Sequence, residues 1–149
     1  MTDKDYMFHA DLANLDGDVQ QLIQLEEERQ SRRIILIPSE SMAPAAVREA
    51  LGSVFSHIYA EGYPPLRMTR DDETLLLDYG HQLAYYRRYA DRRFYKGADY
   101  VNFAETLAQR RAAACFANDR VGADQIYVNV QALSGAAANN SIYLSLIHI

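Results

Sequence analysis

Ile126-Tyr127-Val128-Asn129-Val130-Gln131-Ala132-Leu133-Ser134-Gly135-Ala136-Ala137-Ala138-Asn139-Asn140 runs from a β-branched and aromatic stretch through a small-residue turn into the opening of a helix. The first five residues have strand composition, and the alanine-rich continuation to Leu146 favours a helix. Strand, tight turn and helix in that order present unpaired backbone N–H groups to an anion, since these donors converge at a helix N-terminus and its dipole favours negative charge. On the residues alone, Ser134-Gly135 serves close packing equally well. The pattern predicts a mostly helical chain with residues 126–130 as its one clear strand.

Outward from that stretch the periodicity is helical. A helix is expected from about Asp99 to Phe116 with Phe103, Leu107 and Cys115 facing inward, Cys115 as a small buried hydrophobe. Asp71-Asp72-Glu73 supplies negative charge for the start of another, whose apolar stripe is Leu75, Leu76, Tyr79, Leu83, Tyr86 and Ala90. Residues 56–70 hold Gly62, Pro64 and Pro65 and read as a loop without regular structure. Before it, Ser41 is a candidate cap for a helix with Pro44 in its first turn and Val47, Leu51, Val54 and Phe55 on one face. Ile34-Ile35-Leu36-Ile37, stopped by Pro38, reads as an extended segment pressed against apolar surface. A helix from Asp16 or Asp18 to about Arg33 precedes it, and residues 1–15 read as a mobile or partner-draped arm.

At 149 residues the chain is long enough for one domain, and its net charge of −5 disfavours nucleic acid and anionic membrane as partners. The paired arginines Arg87-Arg88 and Arg92-Arg93 read as a solvated helix face. One cysteine and no signal-peptide pattern fit a soluble protein of the reducing cytoplasm, and no apolar run approaches the roughly 20 residues of a spanning helix. His9, His57, His81 and His148 show no metal-ligand spacing with one another or with Cys115, so no metal is expected.

Tyr59-Ala60-Glu61-Gly62-Tyr63-Pro64 is the stretch packing explains least. A carboxyl enclosed by Tyr59, Tyr63 and Pro64 would be partly desolvated, which raises its pKa and suits it to proton transfer. The same residue also suits a helix cap or an arginine partner. With Leu36-Ile37-Pro38-Ser39-Glu40-Ser41, Arg93-Phe94-Tyr95-Lys96-Gly97 and Val128-Asn129-Val130-Gln131-Ala132-Leu133-Ser134-Gly135 it stands in the order and local setting of the N-terminal part of serine hydroxymethyltransferases. The chain therefore resembles an N-terminal fragment of a divergent branch of that family.

The resemblance implies an α/β protein, this chain being the first part of a large domain of the aspartate-aminotransferase-like fold (fold type I), with residues 1–40 as arm and helix and 41–149 as the truncated start of the pyridoxal-phosphate-binding domain. It implies interconversion of serine plus tetrahydrofolate with glycine plus methylenetetrahydrofolate, pyridoxal 5'-phosphate as cofactor, and a homodimer whose sites are shared between subunits. Glu61 matches the family's acid/base glutamate and Tyr95 a tyrosine approaching the substrate. Tyr59 would line the cofactor site of the neighbouring subunit, and Ser134, Gly135 and Ala136 would hold the cofactor phosphate. Ser39 would bind the substrate carboxylate, although its residue type equally suits a helix cap. The family's cofactor-carrying lysine and its carboxylate-clamping arginine would lie beyond Ile149.

Departures are specific. Ala136 stands where the family usually has a second serine, Pro38 for alanine, Ser41 for asparagine, Phe94 for tyrosine, Lys96 for glycine, and Leu133 for a histidine or tyrosine. Between Pro65 and Arg92 the chain carries more residues than the typical member, a helical insert at about 66–92 that is either looped out or has reshaped the site. Two other readings remain at this point: a folate-independent aldolase acting on β-hydroxy amino acids with the same cofactor, and a non-catalytic dimerisation fragment.

Overall fold

The computed structural model describes residues 10–147, in two units that divide between Val47 and Arg48. Of the expected arm, residues 1–9 fall outside the described residues and Leu12–Leu15 form a short helix, α1. It packs against α2, Gly17–Ser31, which starts where the acidic residues suggest: the Asp16 carboxylate accepts from the Val19 N–H at 3.1 Å. Along α2 the Glu26 carboxylate takes two hydrogen bonds from Arg29 (2.7 and 2.6 Å) and one from Gln30 (2.8 Å). These donors, Arg29 foremost, hold its pKa down to about 2, although an exposed pair of this kind adds little stability. Ile34 and Leu36 are 87% and 86% exposed, so the segment expected to press on apolar surface does not do so here.

Helix α3, Ala45–Leu51, begins directly after Pro44, whose carbonyl accepts from the Val47 N–H at 2.9 Å. Ser41 is therefore not its cap. The helix stops at Gly52, and Ser53 caps a separate 3₁₀ turn, Val54–His57. Val54 and Phe55 consequently leave the expected stripe and remain exposed.

The core of the second unit comes largely from residues 66–92. Helix α4, Leu66–Arg70, occupies part of the stretch expected to be irregular. Pro64 and Pro65 permit it because they precede its first turn, where a missing N–H costs nothing. The single helix expected after Asp71 is two: α5, Glu73–Leu76, and α6, Tyr79–Tyr89. Asp72 caps the first through the Leu75 N–H (2.9 Å), and Asp78 caps the second through the His81 N–H (3.1 Å). Asp78 thereby ends one helical ladder and starts the next. Helix α7, Asp99–Phe116, has the expected bounds.

Met68 of α4, Leu76 of α5 and Leu83 and Tyr86 of α6 close over Phe103 of α7, with Ala90 and Leu107 at the margin. Cys115 is exposed, contrary to expectation. The buried stripe of α7 runs through Asn102, Phe103, Thr106 and Ala113, and two residues beyond Ala113 the helix has turned about 200° to its outer face.

Residues 126–130 form no strand. Their backbone starts extended, with Ile126 at φ −101° and ψ 117°, and Ile126 and Val128 are half-buried while Tyr127 is wholly exposed. The alternation of a strand is present, but a strand exists only through pairing, and no described segment pairs with this one. The chain then enters α8, Gly135–Ile147. No helix among the described residues is long and apolar enough to cross a membrane.

The Tyr86 hydroxyl ties α6 to the start of α7: it donates to the Tyr95 carbonyl (3.4 Å) and accepts from the Ala98 N–H (3.2 Å), with Tyr86 and Ala98 both fully buried. Tyr86→Phe leaves that N–H without an acceptor and should cost about 1–3 kcal/mol, read as a lower thermal or denaturant midpoint at unchanged far-ultraviolet circular dichroism.

Candidate active site

Gly62 adopts φ +94°, and a Cβ there would lie 2.2 Å from the Arg92 carbonyl oxygen. Only glycine accepts both the conformation and the approach. That approach makes an antiparallel bridge between Gly62 and Arg93, in which the Tyr63 N–H donates to Arg92 O (2.9 Å) and the Phe94 N–H to Glu61 O (3.3 Å). Residues 66–92 are therefore looped out between two segments that meet, and the Glu61 loop lies beside the segment carrying Tyr95.

The Arg93 side chain is fully buried behind this bridge, which corrects its assignment to a solvated face. Its guanidinium donates to the carbonyls of Ala60 (2.6 Å) and Gly62 (3.0 Å), the two that flank Glu61. It also donates to the Asn102 side-chain oxygen (2.9 Å) and to the Glu105 carboxylate (2.7 Å), which is itself 8% exposed. Arg87 and Arg88 do lie on an exposed face, and Arg92 stands over the Tyr63 ring at 5.0 Å. From the far side, the Gln131 amide donates to Gly62 O (2.8 Å) and to the second Glu105 oxygen (2.6 Å).

Glu61 itself is exposed, as are Tyr59 at 78% and Tyr63 at 42%, while Pro64 is buried. The expected enclosure of this carboxyl does not form within the chain. Tyr95 is 40% exposed and is held by its carbonyl to Tyr86. Ser39 belongs to the first unit, in a turn where Ile37 O accepts from the Glu40 N–H (3.0 Å), and α3 begins too far on for Ser39 to cap it.

At the start of α8 the Ser134 hydroxyl accepts from the Ala137 N–H at 3.2 Å. The N–H groups of Gly135 and Ala136 find no acceptor among the described residues, and nothing lies within 4 Å of a Cβ built on Gly135. The first turn of α8 carries no acidic side chain. Two free backbone donors, a serine hydroxyl with its proton to give and an open approach fit a phosphate group; Ala136 adds a backbone N–H and no hydroxyl. A separate open cleft, about 940 Å³ between α4, α7 and residues 123–129, is lined by side chains of both charges, including Arg70, Asp71, Arg92, Arg110 and Asp124. No group of three His, Cys, Asp or Glu side chains among the described residues is placed to share a metal ion, and His9 and His148 lie outside them.

The Glu61 loop is thus clamped beside the Tyr95 segment and tied through Gln131 to the residues that lead into α8. A family model for serine hydroxymethyltransferase matches residues 12–78 and 76–149, nearly the whole chain. Serine hydroxymethyltransferase 3 of Colwellia psychrerythraea is 39% identical over 140 residues, covering 94% of this chain and 25% of that protein. A serine hydroxymethyltransferase of Caulobacter sp. is 37% identical over 145 residues, and one of Acidothermus cellulolyticus 36% over 138, covering 26% and 25% of those proteins. The chain belongs to the serine hydroxymethyltransferase family, and it spans about a quarter of the length of the curated relatives it matches. The relatives' names favour neither a folate-independent aldolase nor a non-catalytic dimerisation fragment.

Sequence reasoning missed Arg93, Asn102, Glu105 and Gln131. A signal was present, because Asn102, Glu105 and Thr106 fall on or beside the Phe103 stripe of α7, and polar residues at core-facing positions call for a polar partner. Removing Arg93 leaves Glu105 buried without its counter-charge, so Arg93→Leu should cost about 3–5 kcal/mol. The double variant Arg93→Leu/Glu105→Leu should cost less than the sum of the two single changes, as measured by a denaturation double-mutant cycle.

Proposed function

We propose that this chain is the N-terminal piece of a pyridoxal-phosphate-dependent serine hydroxymethyltransferase, a cytoplasmic homodimer that interconverts serine plus tetrahydrofolate with glycine plus methylenetetrahydrofolate. Residues 1–40 would form its arm and first helix, and 41–149 the start of the large fold-type-I domain with an insert at 66–92. The observation that carries this reading is the Gly62–Arg93 bridge, because it brings the Glu61 loop and the Tyr95 segment side by side despite the insert between them.

In this reading Ser134, Gly135 and Ala136 hold the cofactor phosphate through the hydroxyl and the two free N–H groups. The cofactor, when bound, supplies the electron sink for the carbon–carbon bond change. Ser39 receives the substrate carboxylate and Tyr95 borders the substrate. The Glu61 carboxyl holds or moves a proton at one of its oxygens, with the Arg93 clamp fixing the backbone on both sides of it. Tyr59 and Glu61 are exposed in this chain, which supports their serving a site completed by surfaces outside it, including the cofactor site of the partner subunit.

In the full-length protein, Glu61→Gln should retain cofactor binding and lower the folate-dependent rate by about 10²–10⁴-fold, while folate-independent cleavage of a β-hydroxy amino acid suffers much less. Equal loss of both activities would assign Glu61 a structural role. Mixing Glu61→Gln subunits with subunits lacking the cofactor-carrying lysine should restore activity in heterodimers, since one of the two shared sites regains both groups across the isologous interface. A mixture no more active than its parents would place Glu61 in its own subunit's site.

A further inference from the structure

The Arg93, Glu105 and Gln131 side chains and the Gly62 carbonyl close a ring. Gly62 O accepts from Arg93 Nη1 at 3.0 Å and from Gln131 Nε2 at 2.8 Å, and the Glu105 carboxylate accepts from Arg93 Nη2 at 2.7 Å and from Gln131 Nε2 at 2.6 Å. Each corner comes from a different part of the chain: the Glu61 loop, the far end of the insert, α7, and the extended segment before Ser134. We infer that Glu105 and Gln131 are positioning residues that lock the Glu61 loop to the segment leading into the Ser134-Gly135-Ala136 turn, so that the proton-handling carboxyl and the anion-binding helix start keep one fixed separation.

The two ends of the ring differ in kind. The Arg93–Glu105 pair is buried and neighbours the core, so removing it disturbs the fold. Gln131 is an exposed residue that reaches in with one amide nitrogen, and residues 126–134 have no strand partner among the described residues. Apart from this amide, the hydrogen bonds of residues 126–134 run to their own near neighbours: Ile126 N–H to Ala123 O, Gln131 N–H to the Asn129 side chain, and Ser134 to Ala137 and Ala138. Gln131 thus supplies one long-range hydrogen bond from the turn segment to the Glu61 loop, at Gly62 O, and one to Glu105 of α7, and can be removed while the buried ion pair stays whole. A displacement of about 1 Å in such a link is enough to lower a rate about 10²-fold.

This inference rests on the proposed role of Glu61, and the test separates the two. In the full-length protein, kcat for the folate-dependent reaction is measured for the parent, Gln131→Ala, Glu61→Gln and the double variant, with amide exchange followed at Tyr63 and Phe94. The expected result is a 10–100-fold lower kcat for Gln131→Ala at a nearly unchanged unfolding midpoint, faster exchange at the Gly62–Arg93 bridge, and little further loss when the change is made in the Glu61→Gln background. Multiplication of the two single effects in the double variant, or an unchanged kcat for Gln131→Ala, overturns the positioning role. An unchanged kcat for Glu61→Gln alone overturns the role of Glu61 and this inference with it. Should Gln131→Ala fold poorly, Gln131→Met keeps length and apolar contact without the donor and runs the same cycle with the same criteria.

Discussion

A guanidinium taken out of water must have its donors met, and the Arg93 side chain, fully buried, has them met by two backbone carbonyls, an amide oxygen and a carboxylate. That demand organises the second unit. It obliges the Ala60–Gly62 backbone to turn its carbonyls inward, which in turn requires the positive φ of Gly62 and leaves the intervening Glu61 outside. It also sets the rotation of α7, because Asn102 and Glu105 must both face the same point. Four charge-assisted hydrogen bonds in a dry setting are strong only as a complete set, so the Glu61 loop, the segment at Arg93 and α7 are specified together.

How far the chain could be read in advance follows the range of the forces involved. Helices α2, α7 and α8 were legible because their spacing and small or acidic starts are local properties. The break at Asp78 was not, since an aspartate inside an apolar stripe serves equally as a surface residue or as a cap, and only the competition for N–H groups decides. The prolines at 64 and 65 misled in the opposite direction, being compatible with a loop and with the start of a helix. Residues 126–130 carried every local mark of a strand, yet pairing is supplied from elsewhere.

The candidate site divides along the same line. Glu61, Tyr95, Ser134 and Gly135 could be named as candidates from motif and resemblance, and Ser134 lies at a helix start, where its hydroxyl accepts from the Ala137 N–H. What the motif could not convey is which groups hold the loop. Arg93 sat in a cluster of arginines whose other members are exposed or half-exposed, so its composition gave no hint of burial; the distinguishing mark was the polar pair on the inner stripe of a helix nine residues away. The enclosure of Glu61 by its neighbouring tyrosines failed for a related reason: burial depends on what is packed outside a loop, and adjacency in sequence says nothing about that.

The looped-out segment has a kinetic side. Four of the five residues of the hydrophobic cluster come from the segment whose two ends meet at the Gly62–Arg93 bridge. Local opening in proteins proceeds by contiguous cooperative units. Loosening the Met68, Leu76, Leu83 and Tyr86 packing withdraws the Tyr86 hydroxyl from the Tyr95 carbonyl, so disorder in this helical hairpin reaches the Tyr95 segment through one buried side chain, while the Arg93 clamp holds the Glu61 loop from outside the hairpin.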